Sequence, residues 1–227
     1  MNKIIIAIDG PSASGKSTTA KLVAKKLGYI HLDTGAMYRA ITFAVINSKI
    51  DLKEIDLLKS FVSNLKIRLQ NFEGKNKIYL NDVDVSDEIR SPLITEKVSL
   101  ISSYDFVRAL MVKQQKEIGK VKGVVCEGRD IGTVVFSDAE IKIFLVASIS
   151  ERAKRRMKEF SNHGFEKKVE DVINEINYRD ELDSTRENSP LRKAVDAIEI
   201  NTTNLSIDEQ VEIIYKKAIE KINDSNN

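Results

Sequence analysis

The chain has 227 residues, of which 42% are hydrophobic and 31% charged, so it can bury about 70% of the surface that its unfolded form exposes. Its 36 basic residues nearly balance 34 acidic ones, and the net charge is +2. Disorder requires low hydrophobicity together with high net charge, which this chain does not combine. The balance also argues against a nucleic-acid coat protein and a polybasic membrane anchor. We therefore expect one globular body, 1–227, that binds neither nucleic acid nor membrane.

The first apolar run, Ile4 to Ile8, is interrupted by Asp9 and is much shorter than a membrane span or a signal-sequence core. We therefore expect a protein that is not exported. A single cysteine, Cys126, cannot form an internal disulfide or a multi-cysteine zinc site, and we interpret it as a buried core residue. These features suit the reducing cytoplasm.

Short apolar runs rich in β-branched residues alternate with segments of helical periodicity. The runs are Ile4 to Ile8, Tyr29 to Leu32, Val124 to Cys126, Ile141 to Val146 and Ala197 to Ile200. Such runs are typical of buried parallel strands, and their alternation with helices predicts an α/β fold with a five-stranded parallel sheet and helices on both faces. From Lys66 to Val85 the period becomes two, and Asn81-Asp82 supplies a turn, which predicts a small antiparallel insertion. The alternative is a hairpin without functional meaning.

One motif dominates the sequence, a full match to the GxxxxGK[S/T] phosphate loop between a predicted strand and a predicted helix. It comprises Gly10, Pro11, Ser12, Ala13, Ser14, Gly15, Lys16 and Ser17. The glycines let backbone N–H groups point at phosphate oxygens, Lys16 brings a positive charge to the β- and γ-phosphates, and Ser17 offers a hydroxyl to Mg²⁺. We expect the Lys16 side chain to face solvent or ligand. The alternative is a plain glycine turn between a strand and a helix.

Two arginines follow other predicted strands. Arg39 lies one turn into a helix that a capping residue, Asp33, opens, and Arg129 lies between two glycines after the third strand. Because ligands of parallel sheets bind at the carboxyl ends of the strands, these arginines predict a second phosphate site. For Arg39 the alternative is an exposed arginine after a helix cap.

Three arginines share one helical face after the fourth strand, namely Arg152, Arg155 and Arg156. Small phosphate-loop kinases need cations over the transferring phosphoryl group, so 150–168 is a candidate lid. The alternative is a solvated helix face. On the next helix Arg179, Asp183 and Arg186 share a face, and here a surface ion pair between Arg179 and Asp183 is the alternative.

Together these motifs resemble the bacterial cytidylate kinases, a family of nucleoside monophosphate kinases. The resemblance rests on the phosphate loop, on Leu32-Asp33-Thr34-Gly35-Ala36-Met37-Tyr38-Arg39, on Glu127-Gly128-Arg129-Asp130-Ile131-Gly132-Thr133, and on Glu151-Arg152-Ala153 followed by Arg155-Arg156-Met157. It implies a Mg²⁺-dependent transfer of the γ-phosphoryl group of ATP to CMP or dCMP. We expect the protein to be a monomer. It also identifies 61–100 as the nucleoside-monophosphate-binding insertion and 150–168 as the lid.

The resemblance also implies roles for single residues. Ser99, Arg108 and Asp130 would recognise cytosine, Arg179 and Asp183 the sugar, and Thr34, Arg39, Arg129 and Arg186 the phosphates. Thr18 and Arg152 would join the phosphate loop in binding ATP, and Lys16, Arg129, Arg155 and Arg156 would be catalytic. Ser17 would bind Mg²⁺, with Asp33 or Glu127 contacting it through water. Two positions depart from the family pattern, since Glu127 stands where Asp is common and Thr34 where Ser is common.

Two rival functions stay open at this point. A kinase that acts on a metabolite other than a nucleotide would share the phosphate loop and the lid. A non-catalytic phosphate-loop module that binds RNA or a protein belongs to another class, and it would spread its basic residues along one face. His31 and His163 have no partner nearby in sequence, and we assign them no catalytic or ligand role.

Overall fold

The computed structural model describes residues 2–72, 75–162 and 164–224. The chain forms two compact units, one of Met1–His31 with Lys122–Asn227 and one of Leu32–Val121. The second unit contains the whole range 61–100, whose role as an acceptor-binding insertion stays a prediction. Within the described residues, no helix combines the length and the apolar character that crossing a membrane requires.

The strands are β1 (Ile5–Asp9), β2 (Ile30–Asp33), β3 (Ile67–Phe72), β4 (Lys75–Leu80), β5 (Val83–Asp84), β6 (Val124–Gly128), β7 (Ile141–Val146) and β8 (Ile198–Asn201). The α-helices are α1 (Lys16–Leu27), α2 (Thr34–Ser48), α3 (Ile55–Ser63), α4 (Pro92–Ser103), α5 (Asp105–Gly119), α6 (Ile149–Asn162), α7 (Val169–Thr185) and α8 (Ile207–Asp224). A single turn of 3₁₀ helix lies at Glu88–Arg90 and one of π-helix at Ile131–Val135.

A five-stranded sheet in the order β2-β6-β1-β7-β8 organises the first unit. β1 pairs in parallel with β6 on one side and with β7 on the other, and β7 pairs in parallel with β8. Each strand overlaps one of the apolar runs, so the predicted parallel sheet is confirmed. Because β1 is central, the loops that leave the carboxyl ends of β1 and β6 begin side by side, with Asp9 opposite Gly128.

The core of this unit explains why these segments fold as they do. Every residue of β1 is buried, as expected for a strand covered on both faces. Ile4, Ile6 and Ile8 lie on one face and pack into a cluster with apolar residues of α1 and α8. Each fully buried aliphatic side chain of this kind stabilises the fold by about 1.5 to 3 kcal/mol. The cluster holds α1 against the sheet, and α1 carries the end of the phosphate loop.

The second unit contains the predicted antiparallel insertion, a sheet in the order β3-β4-β5. Leu80 and Val83 pair across the turn, and the two residues between them, Asn81 and Asp82, have φ angles of 47° and 68°. Two left-handed residues form the turn that matches the twist of a two-residue hairpin, and Asn and Asp tolerate this conformation. The predicted turn is therefore confirmed. The rest of this unit is mainly helical, and α2 packs against α4, α5 and β4.

Candidate active site

The predicted phosphate loop lies between β1 and α1. Gly10 has a φ of +152°, and a Cβ there would lie 2.2 Å from the backbone oxygen of Leu145 in β7. Gly15, with a φ of +97°, precedes the first residue of α1. Both positions require glycine, the first because of the close approach and the second because of its left-handed backbone. The alternative, a turn that connects two elements without function, does not account for the charged groups that converge on this loop.

Lys16 is only 5% exposed, so of the two expected surroundings of its side chain the structure rules out solvent, and contact with a ligand stays a prediction. Its Nζ donates hydrogen bonds to the backbone oxygen of Pro11 at 2.6 Å and to Oγ of Ser14 at 3.2 Å. Burial lowers the pKa of Lys16 well below its usual value, and the positive charge of Arg129 lowers it further. The ammonium group is thus partly desolvated and close to other positive charge, which makes it a strong attractor for an anion.

Ser17, which we expected to bind Mg²⁺, lies beside Glu127 at the end of β6. Its hydroxyl donates to Oε2 of Glu127 at 2.7 Å, and Nε2 of His31 lies 3.2 Å from Oε1 of the same carboxylate. Burial raises the pKa of Glu127, but the hydrogen bonds from His31 and Ser17 outweigh it and hold that pKa below its usual value. Glu127 is therefore an ionised carboxylate beside the Ser17 hydroxyl. His31, to which the sequence assigned no role, is its buried partner.

The next positions of α1 differ in exposure. Thr18, an expected ATP contact, is exposed, whereas Thr19 is buried and donates to Oε1 of Gln210 at 2.9 Å. Gln210 is fully buried in α8. The structure thus leaves Thr18 open to solvent and uses Thr19 to tie the first turn of α1 to α8.

The loop after β6 brings four of the predicted acceptor residues together. Nε of Arg129 donates to Oδ2 of Asp183 at 2.8 Å, and both side chains are largely buried. Arg186 lies 3.8 Å from a carboxylate oxygen of Asp183 and also 3.8 Å from one of Asp130. Burial lowers the pKa of Arg129, but the charge of Asp183 outweighs it and raises that pKa above its usual value. The result is a buried network of alternating charges.

Arg179 lies near this network, and the alternative considered for it is a surface ion pair with Asp183. Asp183 is 4% exposed and contacts Arg129 and Arg186 instead, so a surface ion pair between Arg179 and Asp183 is wrong. Burial, together with the charge of Arg129, lowers the pKa of Arg179 to about 10. Its Nε is buried and makes no hydrogen bond within the described residues. The Nε donor of this guanidinium is available to an anionic or hydroxylated ligand.

One arginine of α6 contacts the phosphate loop directly, and a second contacts Thr202. Arg152 donates to the backbone oxygen of Ser12 at 3.2 Å and pairs with Asp180, whose Oδ1 accepts from the Ser12 amide at 2.8 Å. Arg155 donates to Thr202 through both Nη atoms, at 3.0 and 2.7 Å. For Arg152 and Arg155 the alternative of a solvated helix face is therefore wrong.

The remaining arginine of the α6 run stays on its own helix. Arg156 pairs with Glu159 at 2.7 Å and lies over the ring of Phe160. Its positive charge also contributes to lowering the pKa of Arg179. His163, within the candidate lid, lies outside the described residues.

Sequence reasoning missed two residues that support the phosphate loop. Asp180 binds Ser12 from α7, and the Thr202 hydroxyl donates to the backbone oxygen of Ser14 at 3.0 Å. Both lie far from the loop in sequence, and no local motif marks them. Thr202 follows directly after β8, and this position at a strand end is the one signal that could have found it.

The second unit holds the other expected acceptor residues. Asp33 caps α2 as predicted, since its Oδ1 accepts from the amide of Ala36 at 2.8 Å. Thr34, the next residue, is buried. Arg39 is half-buried and donates to Oγ1 of Thr95 at 2.7 Å and to the backbone oxygen of Ile89 at 3.3 Å. The alternative of an exposed arginine is therefore wrong.

Arg108 and Ser99, expected to recognise a base, are both buried in the second unit, at 2% and 8% exposure. The guanidinium of Arg108 lies 5.4 Å from the ring centre of Tyr38, and its Nη1 donates to the backbone oxygen of Ser102 at 3.4 Å. The hydroxyl of Ser102 in turn donates to the backbone oxygen of Ser99. An arginine buried against an aromatic ring keeps its planar donors in a fixed orientation, as base recognition requires.

These features define a phosphate-loop kinase of the α/β type, with a cradle of backbone amides, a buried lysine and arginines from several elements around it. A solved structure of an uncharacterized protein from Eubacterium ventriosum shares the fold, with a TM-score of 0.52, 15% identity, and coverage of 96% of this chain and 99% of that one.

The chain belongs to the cytidylate kinase family, whose model matches residues 6–220. Cytidylate kinases of Bacillus thuringiensis (strain Al Hakam) and of Bacillus cereus (strain AH187) are each 51% identical to it over 212 residues, which is 93% of this chain and 94% of each relative. The resemblance that the motifs carry is thereby confirmed over nearly the whole sequence.

Proposed function

We propose that this protein transfers the γ-phosphoryl group of ATP to CMP or dCMP, giving ADP and CDP or dCDP. The observation that carries the proposal is the pair of loops that leave adjacent strands, the phosphate loop with Lys16 and the 128–132 loop with Arg129, in a chain of the cytidylate kinase family. One loop suits the donor phosphates and the other the acceptor. An oxygen of the acceptor phosphate attacks the γ-phosphorus, the bond to the β–γ bridging oxygen breaks, and ADP leaves.

The residues of the first unit supply charge and position rather than a covalent nucleophile. Lys16 and the loop amides neutralise the donor phosphates, while Arg129 and Arg186 hold the acceptor phosphate. Arg155 and Arg156 stabilise the charge that spreads over the transferring group. Positioning two anions in line is the main requirement of this reaction, because the acceptor phosphate is already ionised at neutral pH.

Mg²⁺ fits the oxygen donors beside the phosphate loop. Ser17 and ionised Glu127 present a hydroxyl and a carboxylate 2.7 Å apart, and Mg²⁺ prefers hard oxygen ligands and usually retains several waters. Within the described residues, no group of three or more His, Cys, Asp or Glu side chains forms a cage, which agrees with a metal held mainly by phosphates. When bound, the ion would neutralise charge on the donor phosphates. Glu127 suits this role better than Asp33, whose Oδ1 caps α2.

The remaining predicted acceptor residues are proposed to have the roles that the resemblance implies. Thr34 and Arg39 would contact the acceptor phosphate, Ser99, Arg108 and Asp130 the cytosine, and Arg179 and Asp183 the sugar. The burial of Arg108 and Asp130, at 2% and 4% exposure, supports these roles, because buried polar groups discriminate strongly between ligands.

The candidate lid, 150–168, is proposed to close over the phosphates with Arg152, Arg155 and Arg156. Closure would exchange the contacts of Arg152 with Asp180 and of Arg155 with Thr202 for contacts with phosphate. Hydrogen exchange across α6 tests this directly. Protection should increase when ATP and CMP analogues are both bound, and equal protection in the free and the doubly liganded protein would reject the lid.

A panel of acceptors tests the proposed reaction. ADP release is measured with CMP, dCMP, UMP, AMP and GMP at fixed ATP and Mg²⁺, and we expect CMP and dCMP to be used best. Turnover of a sugar acid or a coenzyme precursor alone would favour a metabolite kinase. Failure with every acceptor, together with tight RNA binding, would favour a non-catalytic module. Sedimentation would test the proposal of a monomer, and fractionation of cells that of a cytoplasmic location.

The variant Arg39→Met tests the proposed binding of the acceptor. The variant should use CMP much less efficiently and keep its affinity for ATP, because the substitution removes a contact with the acceptor and none with ATP. Calorimetry with ATP in the absence of acceptor measures the affinity for ATP. An equal loss of ATP affinity would place Arg39 at the donor instead.

A further inference from the structure

Asp9, the last residue of β1, links the two loops of the candidate site. It is 4% exposed, and its side chain leaves the strand directly before the phosphate loop. Oδ1 accepts a hydrogen bond from the amide of Ile131 at 2.8 Å, and Oδ2 accepts one from the amide of Gly132 at 2.7 Å. Both carboxylate oxygens are therefore used on two successive amides of the loop that follows β6.

These amides lie directly after Arg129 and Asp130. They open the π-helical turn Ile131–Val135, so the carboxylate fixes the backbone at the point where the acceptor loop turns away from the sheet. Space is also limited here, because a Cβ on Gly132 would lie 3.2 Å from the Lys142 side chain and 3.4 Å from Oδ2 of Asp9. The close approach between strand end and loop thus depends on glycine at 132 and on a short carboxylate at 9.

A charged carboxylate is unfavourable at this buried position, but it offers an acceptor to each of the two amides. Burial raises the pKa of Asp9 to about 6, the two backbone hydrogen bonds oppose this, Asp130 adds to it and Lys16 counteracts it. A neutral asparagine of the same shape would avoid the buried charge. It would, however, offer one acceptor and one donor to two N–H donors, and so would leave one amide without an acceptor.

We infer that Asp9 is a positioning residue of the phosphoryl transfer, which fixes the backbone of residues 130–132 against the end of β1 so that Arg129 and Asp130 keep their orientation beside Lys16. The inference rests on the proposed function, since it takes Arg129 and Asp130 as acceptor contacts. Asp9 touches no substrate in this scheme. It acts through the loop, and small errors in such positioning are costly because transfer requires an in-line arrangement.

Asp9→Asn tests the inference. We expect kcat/KM for CMP to fall by about 10- to 100-fold. The affinity for ATP without acceptor should stay within roughly threefold, because the side chain binds the acceptor loop and not the phosphate loop. Amide exchange at Ile131 or Gly132 should become faster in the free protein, and this measurement does not depend on activity. Replacing a residue that only stabilises the fold would change the use of CMP and the affinity for ATP together.

Ile214→Val is the matched control, since Ile214 is fully buried in the core of the same unit. Its effect shows how activity responds to a small loss of stability alone. Wild-type kcat/KM for CMP in Asp9→Asn, a parallel loss of ATP affinity, or unchanged exchange at both amides would each overturn the inference. The proposed function is tested separately, by the wild-type protein's use of CMP. If another acceptor of the panel is used instead, the same ratio of variant to wild type is measured with that acceptor.

Discussion

Nε2 of His31 lies 3.2 Å from Oε1 of Glu127, and both side chains are buried in the first unit. The other oxygen of Glu127 accepts from the Ser17 hydroxyl at 2.7 Å. Although burial raises the pKa of this carboxyl, its two hydrogen-bond partners hold that pKa below its usual value. Glu127 is longer by one methylene than the aspartate common in the family, and His31 fixes where its carboxylate lies.

His31→Leu should therefore lower the free energy of unfolding by about 1 to 3 kcal/mol, because Glu127 would lose a buried hydrogen-bond partner. The double variant His31→Leu, Glu127→Gln should recover much of this stability, since position 127 then holds no buried charge that needs the His31 partner. It should not recover activity, and the Mg²⁺ concentration needed for half-maximal rate should rise. Urea unfolding and Mg²⁺ titrations of ADP release measure the two effects. Full activity in the double variant would show that the pair is only structural.

Lys16→Met should abolish most activity and leave the fold intact. The ammonium group is buried and its pKa is lowered by burial and by Arg129, so its removal costs the free protein little. Loss of its charge from the transition state should cost roughly 3 to 5 kcal/mol, or two to four powers of ten in rate. Lys21→Met, at an exposed position of the same helix, is the control. More than about a tenth of wild-type turnover in Lys16→Met would contradict the assignment.

The buried carboxyl of Asp9 predicts how stability depends on pH. Its pKa is about 6 in the folded protein, because of burial first and of Asp130, against an ordinary value of 3.8. Between these values the folded state holds the proton more firmly than the unfolded state, so stability falls as pH rises through this window, by at most about 3 kcal/mol, and is constant above it. Asp9→Asn lacks this loss. From pH 4 to pH 7 the wild-type protein should therefore lose stability relative to the variant. A difference in unfolding free energy that stays constant with pH would exclude the raised pKa of Asp9.

Local patterns predicted much of this molecule because much of it is encoded locally. The apolar runs identified the strands, and Asn81-Asp82 identified a turn, since residues that tolerate positive φ are few. The phosphate loop is one continuous motif. The contacts of Asp180 with Ser12 and of Thr202 with Ser14 join residues 168 and 188 positions apart. Only the folded chain brings such pairs together, and therefore the supports of the loop could not be predicted.

The burial of Lys16 and of Asp183 escaped prediction for a related reason. Charged residues are mostly exposed, and only pairing or a functional demand keeps them inside. The spacing of Arg179 and Asp183 suggested a local pair, but the partner that Asp183 contacts at 2.8 Å, Arg129, is 54 positions away. Periodicity within one helix carries no information on a charge that arrives from another element.

The choice of base gives the sharpest prediction about substrate recognition. Cytosine offers an amino donor at N4 and acceptors at N3 and O2, so Asp130 or Ser99 can accept from the amine while Arg108 donates to the ring acceptors. Uracil presents a carbonyl and an N–H at two of these positions. Each mismatch leaves a buried polar group unpaired at about 1 to 3 kcal/mol, so the wild-type protein should prefer CMP to UMP by roughly 30-fold to 10⁴-fold.

Arg108→Met should lower kcat/KM for CMP far more than for UMP and so narrow this preference, because cytosine offers acceptors at both N3 and O2 whereas uracil has an N–H at N3. Arg68→Met is the matched control, since Arg68 also lies over a tyrosine ring of the second unit, Tyr79, but is exposed. The control should keep the wild-type ratio, as measured by ADP release with each acceptor. If the wild-type protein uses UMP as well as CMP, or if Arg108→Met keeps the full ratio, then Arg108 does not recognise the base, even where the kinase activity itself is present.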